Sequence, residues 1–369
     1  MITQRRSAVR LATIAAIIVL FLFLSSVFEP RKTAYSCRTL WSCLGFGGRH
    51  RYTHAAIPDD TEIHVKENVL RDGTLYFEHR IPHADPAILF LVLNKDGASW
   101  SSDFRSGQRG IYDFQDLLVS TELNLTNAAL AIMTASAEEF ETLKAASDRL
   151  PFARTSIFYR KDTSTGLSYE NRHNHSPEAQ LERRSAIATM RNYLMLRALE
   201  DELHLVWLDA DVVELSPRII QTMLRHSTDN REAGIITAEC HQNQMDNYDK
   251  NAWKVNSPDL KGTIGDGDRA TAVQSLVDTR LMIPDLIKDT KDSEIIPLDS
   301  VGGTLLYIRA DLVRQGLTFP HVNVVGTTWN QFGWIGVETE GICYMAKGLE
   351  GGGCFVLGGH HHIRHTDWG

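Results

Sequence analysis

The sequence feature that most constrains the fold is a series of short apolar runs separated by segments with helical spacing. Ala87–Leu93, Ala128–Met133 and Leu203–Leu208 are mainly apolar and have the length of strands. Runs of this kind are typical of strands buried on both faces of a sheet. Between them, a helix is predicted to begin at Ser136, and Pro177–Glu200 carries apolar residues at the spacing of one helix face. The sequence therefore predicts an α/β domain with a mostly parallel sheet flanked by helices.

The N-terminal region contains a segment that could cross a membrane. Leu11–Phe28 carries no charge and is mostly aliphatic or aromatic. A spanning helix needs about 20 apolar residues, whereas the apolar part of a cleaved signal peptide is usually about 7–15 residues long. Arg5, Arg6 and Arg10 precede the segment, which favours a cytoplasmic N-terminus. We expect a retained signal anchor of type II topology, and a cleaved signal peptide ending near Ser25–Val27 is the alternative.

The segments on either side of this anchor follow from the same pattern. We predict residues 1–10 as a cytoplasmic tail, 11–28 as a transmembrane signal anchor, 29–85 as a luminal stem, and 86–369 as the globular α/β domain. The stem is expected to contain one short strand near Leu75–Phe77. Glycosylation sequons at Asn124 and Asn174 are consistent with a luminal domain.

Charge and cysteine content exclude two broad classes of protein. The formal net charge is −8, and a nucleic-acid-binding surface would need a concentration of Lys and Arg instead. The chain has 5 cysteines, too few for a fold built on disulfides, and their odd number leaves at least one without an intrachain partner. We therefore expect no nucleic-acid partner, and the cysteine content gives no information about the fold.

Two acidic residues follow the strongest predicted strand. Asp209 and Asp211 come directly after the apolar run that ends at Leu208. In parallel sheets, ligands bind beyond the carboxyl ends of the strands. Two carboxylates there would repel each other unless they share a cation such as Mg²⁺ or Mn²⁺. Such a cation can bridge the phosphates of a nucleotide sugar and stabilise the departing diphosphate. The alternative is a solvated pair with no ligand.

A phosphatase of the haloalkanoate dehalogenase type offers a second explanation of the acidic pair. In those enzymes the first aspartate after a strand, here Asp209, is the nucleophile. They tend to carry that strand at the start of their core, whereas several elements are predicted before it here. Gly265–Asp268 resembles their second acidic motif, but no apolar strand precedes it. This alternative is disfavoured.

Several further motifs occur in one order along the chain. They are Arg191–Leu194 followed by Val206–Pro217, Tyr248–Trp253, Val301–Asp311 with Gly316–Pro320, and Glu338–Gly341 with Met345–Lys347. Together they cover most of residues 87–365. On these motifs the chain resembles the Anp1/Mnn9/Van1 family of fungal Golgi mannosyltransferases.

The resemblance implies a fold and an activity. It implies a GT-A-type nucleotide-sugar transferase fold for residues 86–369, with GDP-mannose as donor and Mn²⁺ or another divalent cation as cofactor. It also implies retaining transfer of mannose to an α-mannoside glycan. Members of the family are type II Golgi membrane proteins that often assemble with related subunits, so a non-catalytic, scaffolding subunit of such a complex is the alternative function.

The resemblance also implies residues that bind the nucleotide. Lys95 and Asp96 correspond to the end of the family's usual Pro-Leu-Lys-Asp segment, which in this chain is Leu93-Asn94-Lys95-Asp96. Arg191 could contact phosphates through its planar guanidinium, and Asn192 is a hydrogen-bonding candidate. Alternatively, Arg191 and Arg184 form a solvated helix face.

Two candidate residues lie nearer the C-terminus. Glu340 is expected to hold the acceptor hydroxyl or to stabilise an oxocarbenium-like sugar, and the alternative is an acid that complements a helix N-terminus. His365 follows a predicted strand at Cys354–Leu357 and corresponds to the family's metal-binding histidine. We expect it to be the third ligand beside Asp209 and Asp211, with His360–His362 as solvated neighbours.

Glycine and tryptophan residues in these motifs have simpler predicted roles. Gly302 and Gly303 are expected to allow close approach of the backbone. Trp253, Trp329 and Trp334 are expected either to stack on sugar rings or to be buried in the core.

Overall fold

A computed structural model describes residues 62–103, 107–161, 177–242, 247–256, 280–322 and 336–366. The predicted tail and anchor lie outside these residues, as do Asn174, Gly265–Asp268, Trp329 and Trp334. Within the described residues, no helix has both the length and the apolar character needed to cross a membrane.

Strands and helices alternate through the first half of the described chain. The strands are β1 (His64–Val69), β2 (Leu75–Arg80), β3 (Ile88–Asn94), β4 (Ser102–Asp103), β5 (Gly107–Gln108), β6 (Ala128–Thr134), β7 (Arg154–Tyr159), β8 (His204–Leu208), β9 (Val212–Leu215), β10 (Ile235–Thr237), β11 (Glu239–His241), β12 (Trp253–Lys254), β13 (Leu281–Met282), β14 (Ile295–Pro297), β15 (Leu305–Arg309), β16 (Cys354–Leu357) and β17 (His362–His365). The helices are α1 (Ile111–Ser120), α2 (Ala137–Ser147), α3 (Pro177–Ala198), α4 (Ile219–Asp229), α5 (Ile283–Ile287), α6 (Ala310–Arg314) and α7 (Thr339–Ala346).

A large central sheet organises the domain. Among the described residues it has 10 strands in the order β1-β2-β7-β6-β3-β8-β15-β10-β16-β14. The strands predicted at Ala87–Leu93, Ala128–Met133 and Leu203–Leu208 are confirmed as β3, β6 and β8. The helix predicted over Pro177–Glu200 is confirmed as α3, and Ser136 caps α2 by accepting the Glu139 N–H at 3.2 Å. The fold is therefore mixed α/β.

The prediction of a mostly parallel sheet is wrong. The neighbours β7-β6-β3-β8 are parallel, because α1, α2 and α3 return the chain to the same edge between successive strands. By contrast, β15 pairs antiparallel with β8 in the register Leu305↔Leu208. Strand β15 therefore starts where β8 ends, and this places Gly302–Thr304 beside the acidic pair.

The sheet is covered by helices on both faces. On β3, Phe90 and Val92 face a core that also contains Phe114 of α1, while Leu89 and Leu91 face a second core on the other side. All four strand residues are 0 % exposed. Each such side chain contributes roughly 1.5–3 kcal/mol through burial. This explains why β3 is a continuous apolar run.

The sheet also extends into residues for which the sequence predicted only one short strand. Strand β2 covers Leu75–Arg80, and β1 pairs with it at the edge of the sheet. In β1 both alternating sets of side chains are largely exposed, including Val65 and Val69. A strand without a buried face carries no alternating pattern, so its sequence gave no signal.

Candidate functional site

A cavity of about 480 Å³ opens at the carboxyl ends of the parallel strands. Its wall includes Asn94 at the end of β3 with Lys95 directly after it, Ala135 after β6, and Asp209 and Asp211 after β8. The sequence predicted a ligand site at this edge of the sheet, and the described residues form a cavity there.

His365 is brought to the acidic pair by a small second sheet. Strand β17 runs antiparallel to β9, which follows the acidic pair directly, and pairs His365 with Val212. His365 Nε2 lies 3.0 Å from Asp211 Oδ2, and the Asp211 carbonyl accepts the Thr366 N–H at 3.1 Å. Asp209 is fixed on the other side, since its N–H donates to the Thr304 carbonyl at 3.0 Å.

The orientation of the His365 ring is set by its other nitrogen. Nδ1 lies 3.1 Å from the carbonyl oxygen of Thr366. The same Nδ1 lies 3.4 Å from the side-chain amide nitrogen of Gln242, and Nε2 faces the acids. The side chain is 3 % exposed, and the ring of Tyr248 lies 4.4 Å away. Burial lowers the pKa of His365, but the hydrogen bond and charge of Asp211 outweigh burial and raise this pKa overall.

The other C-terminal histidines face away from the cavity. His360 Nδ1 lies 3.0 Å from Asp292 Oδ1, with its side chain 95 % exposed. His361 contacts the Asp292 backbone, and the ring of His362 stacks on that of His241 at 5.0 Å. The structure thus separates His365 from the three preceding histidines.

The charge of the acidic pair is only partly balanced by protein groups. Burial raises the pKa of Asp209; nearby Arg191 lowers it, Asp211 raises it again, and the result is about 7. The side chain keeps 43 % of its surface open toward the cavity, so water there moderates the rise. Carboxylates that repel each other in this way favour a shared cation or a proton.

The donors at this position fit a divalent cation. Among the described residues, no three His, Cys, Asp or Glu side chains already surround one metal position. However, Asp211 Oδ2 and His365 Nε2 are 3.0 Å apart. That is about the separation of two adjacent ligands when each lies about 2.1 Å from an octahedral cation. Carboxylate and imidazole donors also suit Mn²⁺.

Arg191 is buried at the wall of the cavity. Its guanidinium carbon lies 4.9 Å from the ring centre of Trp207 and 5.4 Å from that of Phe319. Nη2 donates to Asp209 Oδ1 at 3.4 Å and to the Gly303 carbonyl at 3.2 Å. Arg191 is 4 % exposed, so the alternative of a solvated helix face is wrong for this residue.

Asp249 organises the segment beside the acidic pair. Its Oδ2 accepts the Gly303 N–H at 2.7 Å, the Thr304 N–H at 3.2 Å and the Thr304 hydroxyl at 3.1 Å. A Cβ on Gly302 would lie 2.3 Å from this oxygen, and one on Gly303 would lie 2.9 Å from Arg191 Nη2. The predicted close approach at both glycines is confirmed. Asp249 itself was not predicted, although it belongs to the Tyr248–Trp253 motif.

The residues after β3 have divided roles. Lys95 lines the cavity. Asp96 caps the 3₁₀ turn Gly97–Trp100, because its Oδ1 accepts the Ala98 N–H at 3.0 Å. Asn94 is buried, and its amide donates to Glu139 Oε1 at 3.4 Å. Nucleotide binding by Lys95 and Asp96 stays a prediction.

The amide of Asn192 is engaged away from the cavity. It donates to the Phe319 carbonyl at 2.7 Å and accepts the Phe319 N–H at 2.7 Å. Asn192 does not belong to the residues that line the cavity. These contacts attach α3 to the segment that contains Phe319. A role for Asn192 in nucleotide binding stays a prediction.

Glu340 lies in the first turn of α7 and binds an arginine of α3. Its Oε2 accepts Arg184 Nη1 at 2.8 Å, and Arg184 Nη2 donates to Asn251 Oδ1 at 3.1 Å. Burial raises the pKa of Glu340 despite the charge of Arg184. Arg184 and Asn251 line the cavity, as does Glu338, which sequence reasoning missed. Trp253 is 0 % exposed, so it is a core residue.

The chain is similar in sequence to a known protein family and to curated proteins. The family model described as Anp1 matches residues 111–323. The chain is 34 % identical over 197 residues to the mannan polymerase complex subunit mnn9 of Schizosaccharomyces pombe, covering 51 % of this chain and 53 % of that protein. It is 30 % identical over 210 residues to the mannan polymerase complex subunit MNN9 of Candida albicans, covering 54 % of each chain. The chain thus spans about half the length of the curated relatives it matches.

One solved structure shows a distant similarity. It is the mannosyltransferase PcManGT from Pyrobaculum calidifontis in complex with GDP-Man and Mn²⁺, with 10 % sequence identity and a TM-score of 0.40 over 77 % of this chain and 58 % of that one. A likeness this weak is not sufficient to transfer a function.

Proposed function

Because the chain belongs to the Anp1 family, we propose that it is a retaining α-mannosyltransferase that uses GDP-mannose and a divalent cation such as Mn²⁺. The observation that carries the proposal is the acidic pair at the end of β8, on the wall of the cavity, with His365 Nε2 3.0 Å from Asp211 Oδ2. The names of the two Mnn9 relatives, both mannan polymerase complex subunits, support mannose transfer to a mannan-type acceptor.

In this proposal, the residues of the acidic pair have a binding role. Asp209, Asp211 and His365 would hold the cation, which when bound neutralises the charge that develops on the departing diphosphate. Asp209, whose Oδ1 lies 3.4 Å from Arg191 Nη2, is also proposed as a catalytic carboxylate. Arg191 and Lys95 are cationic residues that line the same cavity. The chain therefore offers a binding region for a nucleoside diphosphate.

The acceptor is proposed to bind on the side of α7. Glu340 holds the guanidinium of Arg184, which lines the cavity together with Asn251. These groups can hydrogen-bond sugar hydroxyls, and the buried carboxylate of Glu340 sets their position. This arrangement supports a role for Glu340 in acceptor binding through Arg184.

The fold subtype and location are part of the same proposal. We propose a GT-A-type fold for the domain built on the central sheet, with residues 11–28 as a type II anchor in the Golgi membrane and the domain in the lumen. The disulfide between Cys343 and Cys354 supports an oxidising compartment. Asn124 is exposed and so accessible to glycosylation. Related mannosyltransferase subunits are the proposed partners, because the relatives are named as subunits of complexes.

A non-catalytic, scaffolding subunit is the second candidate. The relatives' names favour this candidate as much as they favour an enzyme, whereas the complete set Asp209, Asp211 and His365 favours an enzyme. The phosphatase alternative is disfavoured by family membership, and it would require a covalent aspartyl-phosphate at Asp209.

The experiment that separates these functions uses the full chain purified in detergent. It would be incubated with Mn²⁺, an α-mannoside acceptor and a panel of nucleotide sugars. We expect turnover of GDP-mannose in preference to other donors, lost on removal of the metal with a chelator. Binding of GDP without any turnover would support the scaffolding subunit, and phosphate release from a phosphomonoester with labelling of Asp209 would support the phosphatase.

A further inference from the structure

Glu338 is a buried acid that the proposed chemistry does not use. It lines the same cavity as the acidic pair and is 6 % exposed. Its Oε1 lies 2.8 Å from Arg191 Nε, and its Oε2 accepts the Thr339 hydroxyl at 2.8 Å. The Nε–H is not aligned with Oε1, so the two groups form an ion contact. The charge of Glu338 is therefore directed at Arg191.

The backbone of Glu338 is held in a conformation that L-residues rarely adopt. Its φ is 65° and its ψ is −129°, a region normally occupied by glycine. Strained residues of this kind concentrate at ligand sites because the surrounding structure enforces them. Ser101, with φ 61°, lines the same cavity. The surrounding structure thus holds Glu338 in a strained conformation at the wall of the cavity.

Arg191 is shared unequally between two acids. Its contact with Glu338 is 2.8 Å, whereas its contact with Asp209 is 3.4 Å. The rings of Trp207 and Phe319 lie 4.9 Å and 5.4 Å from the guanidinium carbon and limit how far the group can be displaced. Without the negative charge of Glu338, Arg191 would move closer to Asp209. A tight Arg191–Asp209 pair would then compete with any cation for the Asp209 carboxylate.

We propose that Glu338 is a positioning residue that draws Arg191 away from Asp209 and so keeps the Asp209 carboxylate available to a divalent cation. This inference rests on the proposed metal-dependent function and adds a residue to it. It assigns the buried pair Arg191–Glu338 to the control of metal affinity.

The test is Mn²⁺ affinity, measured by calorimetry on the full chain without nucleotide, so that a contact between Arg191 and phosphate does not enter the result. We expect Glu338→Gln to weaken Mn²⁺ binding by at least ~10-fold, the lower end of the effect of changes around metal ligands. Glu338→Asp keeps the charge and should remain close to wild type. In the double variant Glu338→Gln with Arg191→Met, the competing cation is gone, so most of the lost affinity should return. Thermal unfolding of each variant checks that the fold is retained.

A purely structural role for Glu338 predicts a different pattern. In that case Glu338→Gln would lower thermal stability without changing Mn²⁺ affinity, or the double variant would bind Mn²⁺ as weakly as Glu338→Gln. Either result overturns the inference. Asp211→Asn is measured in parallel: if it loses Mn²⁺ binding while Glu338→Gln does not, only this inference fails. If Asp211→Asn also binds Mn²⁺ normally, the proposed function fails.

Discussion

At the scale of single residues, the site depends on carboxylates that are each held by a specific group of the protein. Asp249 binds the backbone of Gly303 and Thr304, Asp211 lies against His365, and Asp209 shares Arg191 with Glu338. Each contact joins residues far apart in the sequence. Gly302 leaves the space that the Asp249 carboxylate occupies, and Gly303 leaves space for Arg191.

Gly302→Ala tests the need for that space. A Cβ at this position would lie 2.3 Å from Asp249 Oδ2, and the carboxylate cannot yield without losing its three hydrogen bonds. We expect the free energy of unfolding to fall by about 1–3 kcal/mol, with a loss of turnover. Gly348→Ala is the control, because nothing lies within 4 Å of a Cβ there. The free energy of unfolding of both variants is measured by denaturant unfolding. Equal stability of the two variants would contradict the proposed packing.

The C-terminal histidines provide a second test at this scale. His365→Ala should weaken Mn²⁺ binding by at least ~10–100-fold, because the imidazole is a candidate ligand. Replacing His360, His361 and His362 together should leave the affinity nearly unchanged, since these residues face away from the acidic pair. Calorimetric titration of Mn²⁺ with GDP present compares the two variants. Equal affinities would show that the cation takes its remaining ligands from water and diphosphate.

At the scale of elements, the predictable part of the fold is the part with a simple burial pattern. Strands β3, β6 and β8 are continuous apolar runs, and α3 shows one apolar face, so their sequences identify them. Strand β17 is short and has Ile363 as its one apolar residue, and its pairing with β9 depends on the whole fold. The antiparallel pairing of β15 with β8 was not predicted, for the same reason. Asp209, Asp211 and His365 were predicted from sequence motifs, whereas Asp249 and Glu338 were not, because their partners are set by these pairings.

Helix α3 allows a direct comparison of a structural and a binding role. Asn192 makes two hydrogen bonds of 2.7 Å with the backbone of Phe319. Asn192→Ala would leave the two Phe319 groups without these partners, at a cost of about 1–3 kcal/mol in the free energy of unfolding. If these two hydrogen bonds are the whole role of Asn192, the KM for the donor should change little. A large rise in donor KM at unchanged stability would instead support nucleotide binding by Asn192.

At the scale of the whole molecule, the described residues between 62 and 366 form the sheet, its two helical layers and the cavity. The proposed membrane anchor lies outside them. The disulfide between Cys343 and Cys354 ties α7, which follows Glu338, to β16, which precedes His365. Both elements thus contribute to the position of the site.

Protease protection tests the proposed topology. Because Leu11–Phe28 is uncharged and long enough to span a bilayer, sealed Golgi vesicles should protect the residues beyond about Glu29 from external protease. Detergent should remove this protection, which provides the control. Digestion of the C-terminal domain in intact vesicles would exclude a luminal location.

The most direct test of the central claim is the turnover of GDP-mannose by Asp211→Asn in the full chain. The substitution keeps the size of the side chain and removes the charge that faces His365. We expect turnover to be abolished while thermal stability is retained, because loss of a charge that holds the cation removes several kcal/mol of transition-state stabilisation. Asp292→Asn is the matched control, since Asp292 contacts only the exposed side of the histidine cluster and should keep full activity. Near-wild-type turnover by Asp211→Asn at saturating Mn²⁺ would contradict the metal-dependent mechanism.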